Sequence, residues 1–340
     1  MSQLVVIAPG KLAWRVPRAA VIEADTDVIV RPTAVARCDL DPAVIAGGLP
    51  LPVEIGHEFV GEVVEVGDAV RSLRPGQRVA SSFVISCGDC RACARGSQQA
   101  CHSVNKPAMY GFGSYGHNWG GVVTDRVRVP FGEAVLVPLP DAVSDIAAAS
   151  AGDNLADAYR AVVPHLERNP DGRVVIVGGG SASIGLYAVA WAKWRGAAVI
   201  DYWDTDRRRL ELAGRLGAKV FERAAPEPGR HYDIAVHASG RADGLPAILR
   251  SLDFGARLTS TYVAAPEVAL PYMELFTTGV QMTIGDQNTR AHMPAVLQAL
   301  AAGFDPTTII AEVADWADAA EAFLSPAPKL VVRRDGARGR

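Results

Sequence analysis

No apolar run in this sequence approaches the roughly 18–20 residues that a membrane-spanning helix needs, which excludes such a helix. Nor is there a basic excess: 34 Lys+Arg stand against 37 Asp+Glu, a formal charge of −3 with neutral histidines. Non-specific nucleic-acid binding depends on a basic surface and is not expected. Cysteines are few and odd in number, five in 340 residues, which argues against a fully paired disulfide framework. The opening Met1-Ser2-Gln3-Leu4-Val5-Val6-Ile7 lacks the basic n-region of a signal peptide, so a cytoplasmic location is expected. Internal repeats and low-complexity tracts are missing too. What remains is 49% apolar and 21% charged, with a mean hydropathy of +0.13. Such a chain can bury sizeable cores, and its length favours two domains.

From residue 20 to 140 the pattern is of short strands between Gly/Pro turns, as in Val28-Ile29-Val30, 59–66 and 76–80. Residues 144–166 are Ala-rich with helical spacing, and Asn169-Pro170-Asp171-Gly172 reads as a turn. Val174-Val175-Ile176-Val177 is a short apolar run of the kind buried in parallel sheets. A glycine-rich loop over 178–185 follows, with a helix expected from about Leu186 to Trp194. A strand over 198–203, a helix over 207–216 and strands at 233–236 and 257–260 continue the alternation. This outlines a doubly wound parallel sheet. The tail predicts a helix over 293–302 and a closing strand over 329–332.

Four of the cysteines, Cys87, Cys90, Cys93 and Cys101, lie within fifteen residues. In a reducing compartment cysteines at such spacing are metal ligands or reactive thiols rather than disulfides. Zinc takes four thiolates in a closed tetrahedral shell, and one loop of this spacing can wrap one ion. No position is left open for chemistry, so the site is expected to be structural.

The fifth, Cys38, stands alone. Gly56-His57-Glu58 follows about twenty residues later, beside the strand 59–66. With the four-cysteine loop thirty residues further on, the chain resembles the zinc-dependent medium-chain alcohol dehydrogenase family over essentially its whole length. The resemblance implies a mostly-β GroES-like catalytic domain with a structural zinc lobe at about 86–104, spanning 1–152. A Rossmann-type NAD-binding domain over 153–288 and a return to the catalytic domain over 289–340 complete it. It also implies a second, catalytic zinc on Cys38, His57 and Asp153, the last standing where many relatives have Cys. Asp153, preceding Asn154-Leu155, equally suits a helix N-cap. Glu58 matches an acid that can lie behind the metal or swing onto it, and Asp41 one that supports the metal shell. A small-molecule substrate bound in a cleft between the two domains, and a homodimer or homotetramer, are further implications.

The cofactor reading starts from the strand, the glycine loop and the helix after it. Gly178, Gly180, Ser181, Ala182, Ser183, Ile184 and Gly185 form the loop, which departs from G-x-G-x-x-G by having Ser183 at the third glycine position. Asp204, nineteen residues after Gly185, ends the second strand and supplies the acid for a ribose 2′-hydroxyl. Asp201 competes for that role. Relatives place the acid eight residues past the glycine that opens this strand, which selects Asp204 from Gly196. NAD is therefore expected over NADP. Arg207, Arg208 and Arg209 read as a solvated first helical turn, although an Arg just past the acid can accommodate NADP.

The pattern breaks at the proton path. Relatives carry a hydroxyl residue two positions after the zinc Cys and often a His five after it; here Leu40 and Ala43 stand there. Leucine can neither donate nor accept a proton. Three readings follow. Water or Asp39, Asp41 or Glu58 takes over proton transfer. Alternatively, the substrate is an iminium or activated alkene that needs no alkoxide protonation. Lastly, the chain binds cofactor and zinc without turnover. The stretch from Tyr110 to Trp119 either walls the substrate site or tucks its aromatics into the lobe. His102, His165, His231, His237 and His292 match no ligand or relay position.

Overall fold

Valine and isoleucine branch at Cβ and suit a pleated surface buried on both faces, and Arg173–Val177 is such a strand. In the computed structural model, which describes residues 2–261, 267–285 and 288–336, it is central to a six-stranded sheet. The others are Val199–Asp204, Lys219–Glu222, Tyr232–His237, Leu252–Ser260 and Gln281–Ile284. All neighbours pair in parallel. In chain order the strands lie 3-2-1-4-5-6, the order of a Rossmann-type sheet. This unit comprises residues 157–286.

The helix after the first strand is Ala182–Trp194 and begins four residues earlier than the glycine pattern suggested. Ala182, Ser183, Ile184 and Gly185 form its first turn rather than a loop. Apart from Gly185 these residues carry no helix penalty, and Gly185 sits buried among Ala238 and Tyr202, where packing outweighs its low propensity.

The other unit, residues 1–156 and 287–340, is built mostly on antiparallel strands, with Glu312–Asp315 parallel to Leu330–Arg333. Its larger sheet runs Glu312–Asp315, Leu330–Arg333, Val28–Ala36, Glu58–Val66, Arg78–Ser81 and Leu136–Pro138, with Val127–Val129 also on Val28–Ala36. A three-stranded sheet of Lys11–Arg15, Gln3–Ala8 and Val53–Glu54 accompanies it. Side chains alternating inward from both, among them Leu4, Val30, Val35, Ile55, Phe59, Val79 and Val332, make one core. The Ala-rich stretch is two helices, Asp145–Ala148 and Asn154–Leu166, with the break at 149–153. That break carries Asp153.

His165 is held low, to about 4, first by burial and then by the nearby Arg257, Arg168 and Arg160. A histidine kept neutral in the fold is protonated only after unfolding, so between its ordinary value of about 6.5 and about 4 acid favours the unfolded chain. Stability is expected to fall as pH drops through that window, and His165→Gln should flatten part of the slope. Thermal unfolding midpoints of both proteins from pH 7 to 4 test this; identical slopes would contradict it.

Candidate active site and metal centres

The four-cysteine loop folds as the spacing requires. All four thiols are free of disulfides, and their ligand atoms lie within 4.8 Å of one another. The Sγ–Sγ separations of Cys87–Cys93 (4.0 Å), Cys90–Cys93 (3.5 Å), Cys90–Cys101 (4.0 Å) and Cys87–Cys101 (3.5 Å) bracket the edge of a zinc–sulfur tetrahedron. With Zn–S near 2.3 Å that edge is about 3.8 Å. Backbone N–H groups of Cys87, Cys90, His102 and Ser103 donate to these sulfurs at 3.4 Å. The His102 N–H leads in pulling Cys90 down to about 6, while burial pushes Cys93 up to about 12. Four thiolates share so small a volume only with a cation among them. The donor set and its geometry fit zinc.

The second cluster draws on three separate segments. Cys38 follows the strand Val28–Ala36, His57 immediately precedes the strand Glu58–Val66 that Glu58 opens, and Asp153 stands in the break before Asn154–Leu166. Their ligand atoms also lie within 4.8 Å of one another, and all four residues are buried. His57 Nε2 is 3.1 Å from Asp153 Oδ2. Asp153 is the residue before the helix Asn154–Leu166, and its Oδ2 faces His57. Gly152 makes this approach possible, because a Cβ there would overlap the Ser81 carbonyl, and the Gly152 carbonyl accepts from Phe83 N–H at 3.3 Å.

Supporting contacts fix the donors. Asp41 Oδ2 accepts the Cys38 N–H at 2.9 Å, and its Oδ1 lies 3.7 Å from His57 Nδ1. Both of those facing atoms are buried without a hydrogen bond, the arrangement that tightens when the other ring nitrogen binds a metal. Leu40 N–H points at Cys38 Sγ, 3.5 Å away. Lys329, fully buried, donates to both Glu58 oxygens at 3.0 and 2.9 Å and to the Arg37 carbonyl. The Arg37 guanidinium is committed to the carbonyls of Phe323, Ser325 and Ala327. Burial, then the carboxylates of Asp153, Glu58 and Asp41, push the Cys38 thiol well up. Burial likewise raises Glu58, to about 7, against the pull of Lys329. Three carboxylates packed out of water around the Cys38 thiol carry more negative charge than Lys329 balances. A buried surplus of that kind is tolerable only with a cation, and sulfur, imidazole and carboxylate together suit zinc.

Asp39 lies outside this cluster and is half-buried. The aromatic stretch divides. Phe112 brings its ring to 4.9 Å from that of His57, joined by Phe83 at 5.8 Å, whereas Trp119 sits under the Arg128 guanidinium at 5.7 Å. Lys329 and Phe83 went unnoticed in the sequence; a lysine opening an otherwise apolar strand was the available sign. None of His102, His165, His231, His237 and His292 joins either cluster.

In the parallel-sheet unit, Gly178 N–H donates to the Trp203 carbonyl, Gly180 to Ser239 and Ser181 to Ala238, each at 2.9 Å. The glycine turn is thereby pinned above the sheet, and Gly179 packs where any Cβ would meet the Ser239 backbone. Asp201 accepts from the Tyr232 hydroxyl at 2.5 Å, whereas Asp204 ends its strand under the glycine turn. Arg207 and Arg208 are exposed, as a solvated turn requires, but Arg209 is bound to the buried Asp204, which corrects that reading for Arg209 alone. The helix periodicity could not reveal a partner that precedes the helix. A glycine turn into which backbone closely packs, leading to a long helix and an acid at the next strand end, fits a dinucleotide.

Residues 24–141 match the family described as the alcohol dehydrogenase GroES-like domain. The L-threonine 3-dehydrogenase of Burkholderia vietnamiensis is 28% identical over 291 residues, 81% of this chain and 80% of that protein. Among solved structures, alcohol dehydrogenase TADH from Thermus sp. ATN1 superposes with a TM-score of 0.90 at 29% identity, covering 98% of this chain and 100% of its own. An alcohol dehydrogenase of Escherichia coli CFT073, solved with the cofactor NADH, shares the fold at a TM-score of 0.83, 23% identity and 98% and 99% coverage. A GroES-like domain and a Rossmann-type sheet in one chain define a zinc-binding medium-chain dehydrogenase/reductase. The chain carries the alcohol dehydrogenase GroES-like domain over 24–141, is similar to zinc-dependent medium-chain alcohol dehydrogenases over most of its length, and is an NAD(P)-dependent oxidoreductase of alcohol dehydrogenase type.

Since Gly152 lacks the Cβ that Ser81 would exclude, Gly152→Ala should displace Asp153, at an overpacking cost of about 1–3 kcal/mol. Metal analysis should then find zinc lost from the Cys38 cluster alone, whereas Cys101→Ser should lose the other ion. Retention of two zincs by Gly152→Ala would contradict the assignment.

Proposed function

We propose that this protein interconverts an alcohol and its carbonyl compound, with hydride passing between the substrate carbon and the nicotinamide of NAD(H). The carrying observation is the buried Cys38–His57–Asp153 donor set, backed by Asp41 and lined by aromatic rings. In this reading those three residues hold a catalytic zinc, and Cys87, Cys90, Cys93 and Cys101 a structural one. When bound, the metal supplies a Lewis acid for the substrate oxygen and the dinucleotide a hydride carrier. Asp41 orients His57 through Nδ1. Glu58, held on both oxygens by Lys329, is the least available as a fourth donor. Residues 178–185 cradle the pyrophosphate, and Asp204 at its strand end supports NAD as the preferred cofactor.

Proton transfer runs through water in this reading. Leu40 and Ala43 offer no relay, and Asp41 and Glu58 are fully buried, Asp41 facing His57 and Glu58 held on both oxygens by Lys329. The same observation favours a second reading: Leu40 beside Cys38, with Phe83 and Phe112 near His57, also suits reduction of an iminium or activated C=C bond. Cofactor oxidation against carbonyls, iminium salts and enones separates the two. Turnover confined to iminium or enone substrates rejects the alcohol reading, and turnover of none rejects both in favour of a binding protein. Leu40→Thr restores a hydroxyl beside Cys38 and should raise alcohol turnover about tenfold or more, within the range of general acid–base effects. An unchanged rate would contradict a relay lost at Leu40.

We also place the protein in the cytoplasm, as a homodimer or homotetramer acting on small molecules. No helix among the described residues is long and apolar enough to cross a membrane. Phe254, Tyr272, Met273, Phe276 and Ile284 are exposed on the outermost two strands of the parallel sheet and the helix Tyr272–Thr278 between them. An unpaired strand edge beside apolar side chains suits a second copy related by two-fold symmetry. Ile284→Lys should shift the mass measured by light scattering to that of a smaller assembly; an unchanged mass would contradict this edge as an interface.

A further inference from the structure

Asp204 is only 2% exposed, little for a side chain expected to meet a ribose. Its Oδ1 accepts from the N–H groups of Thr205 (2.7 Å) and Asp206 (2.9 Å) and from Arg209 Nη2 (2.8 Å). Oδ2 accepts from Arg209 Nε at 2.7 Å and from the Tyr202 hydroxyl at 2.9 Å. Each carboxylate oxygen offers about two lone pairs, so both are filled without any ligand. Tyr202 stands two residues before Asp204 and therefore on the same face of the strand. A Cβ at Gly178 would overlap the Tyr202 hydroxyl and Asp204 Oδ2 together, so that hydroxyl lies between the first glycine of the turn and the acid. Burial, then the Asp204 charge, push the Tyr202 phenol well up, and it remains a donor. Burial works against the Asp204 carboxylate, but the Arg209 hydrogen bonds and the Asp206 N–H outweigh it and hold Asp204 below the usual range.

We propose that Tyr202 sets cofactor affinity and selectivity: its hydroxyl takes the acceptor on Asp204 that the 2′-hydroxyl of NAD needs, while Arg209 neutralises the same carboxylate. The preference for NAD over NADP is then narrow. A 2′-phosphate meets a compensated acid rather than a bare one, and Arg208, exposed and in no ion pair among the described residues, stands next to Arg209 to receive it. The proposal rests on reading residues 178–204 as the dinucleotide site.

Equilibrium binding of NADH and of NADPH, followed by cofactor fluorescence without substrate, tests it on the full chain. For the unaltered protein the two dissociation constants should lie within about tenfold of each other. Tyr202→Phe keeps the ring and frees one lone pair on Oδ2, so NADH should tighten by about three- to tenfold, the effect of a hydrogen bond to a charged acceptor, while NADPH moves by less than about twofold. Arg209→Gln, which bares the acid, should weaken NADPH relative to NADH by about fivefold or more. A preference of the unaltered protein beyond about a hundredfold, or no tightening of NADH in Tyr202→Phe with melting unchanged, overturns the proposal alone. Binding of neither nucleotide overturns the dinucleotide site, and the proposal with it.

Discussion

A surplus of buried negative charge organises this protein. Cys38, Asp41, Glu58 and Asp153 meet out of water, and Lys329 compensates one of them from the far end of the chain. Burying uncompensated ions costs several kcal/mol each, so the cluster is stable only protonated or around a cation. Burial raises the Cys38 thiol and the Asp41 and Glu58 carboxyls, each first by desolvation of the charged form. The β-rich unit exists to hold these groups against their mutual repulsion. The strand Val28–Ala36 delivers Cys38, the paired strand Glu58–Val66 delivers His57 and Glu58, and the close approach of Gly152 to Ser81 delivers Asp153.

The parallel-sheet unit meets the same problem on a smaller scale and solves it internally. Asp204 is as buried as the acids of the Cys38 cluster, but five donors surround it and Arg209 cancels its charge. One acid cluster is left short of positive charge and the other is saturated. The first thereby selects a cation. The second holds a rigid floor beneath the glycine turn.

Much of this could be read from the amino-acid order, where the chemistry is local. The four cysteines lie in one loop, so spacing alone indicated a closed shell, and their sulfur separations agree with it. Alternating apolar runs and amphipathic segments indicated a doubly wound parallel sheet and four of its strands, whereas Lys219–Glu222 and Gln281–Ile284, short and largely exposed, gave no apolar run to read. The second cluster needed the resemblance as well, because its donors come from three separate segments, with Asp153 lying 96 positions from His57. Lys329 was invisible for the same reason: it meets Glu58 across 271 positions. Arg209 and Tyr202 were misjudged or passed over because periodicity describes which face a residue occupies, not which acid awaits it there. The helix start at Ala182 was missed because glycines were taken as loop, although one of them packs inside the helix.

Zinc-edge anomalous diffraction from crystals of the protein tests the central claim most directly. Two peaks per chain are predicted, one among the sulfurs of Cys87, Cys90, Cys93 and Cys101. The other should lie about 2.0–2.3 Å from Cys38 Sγ, His57 Nε2 and an Asp153 oxygen. A single peak at the four cysteines, with Cys38, His57 and Asp153 still clustered around no metal, would contradict a site held together by its need for a cation.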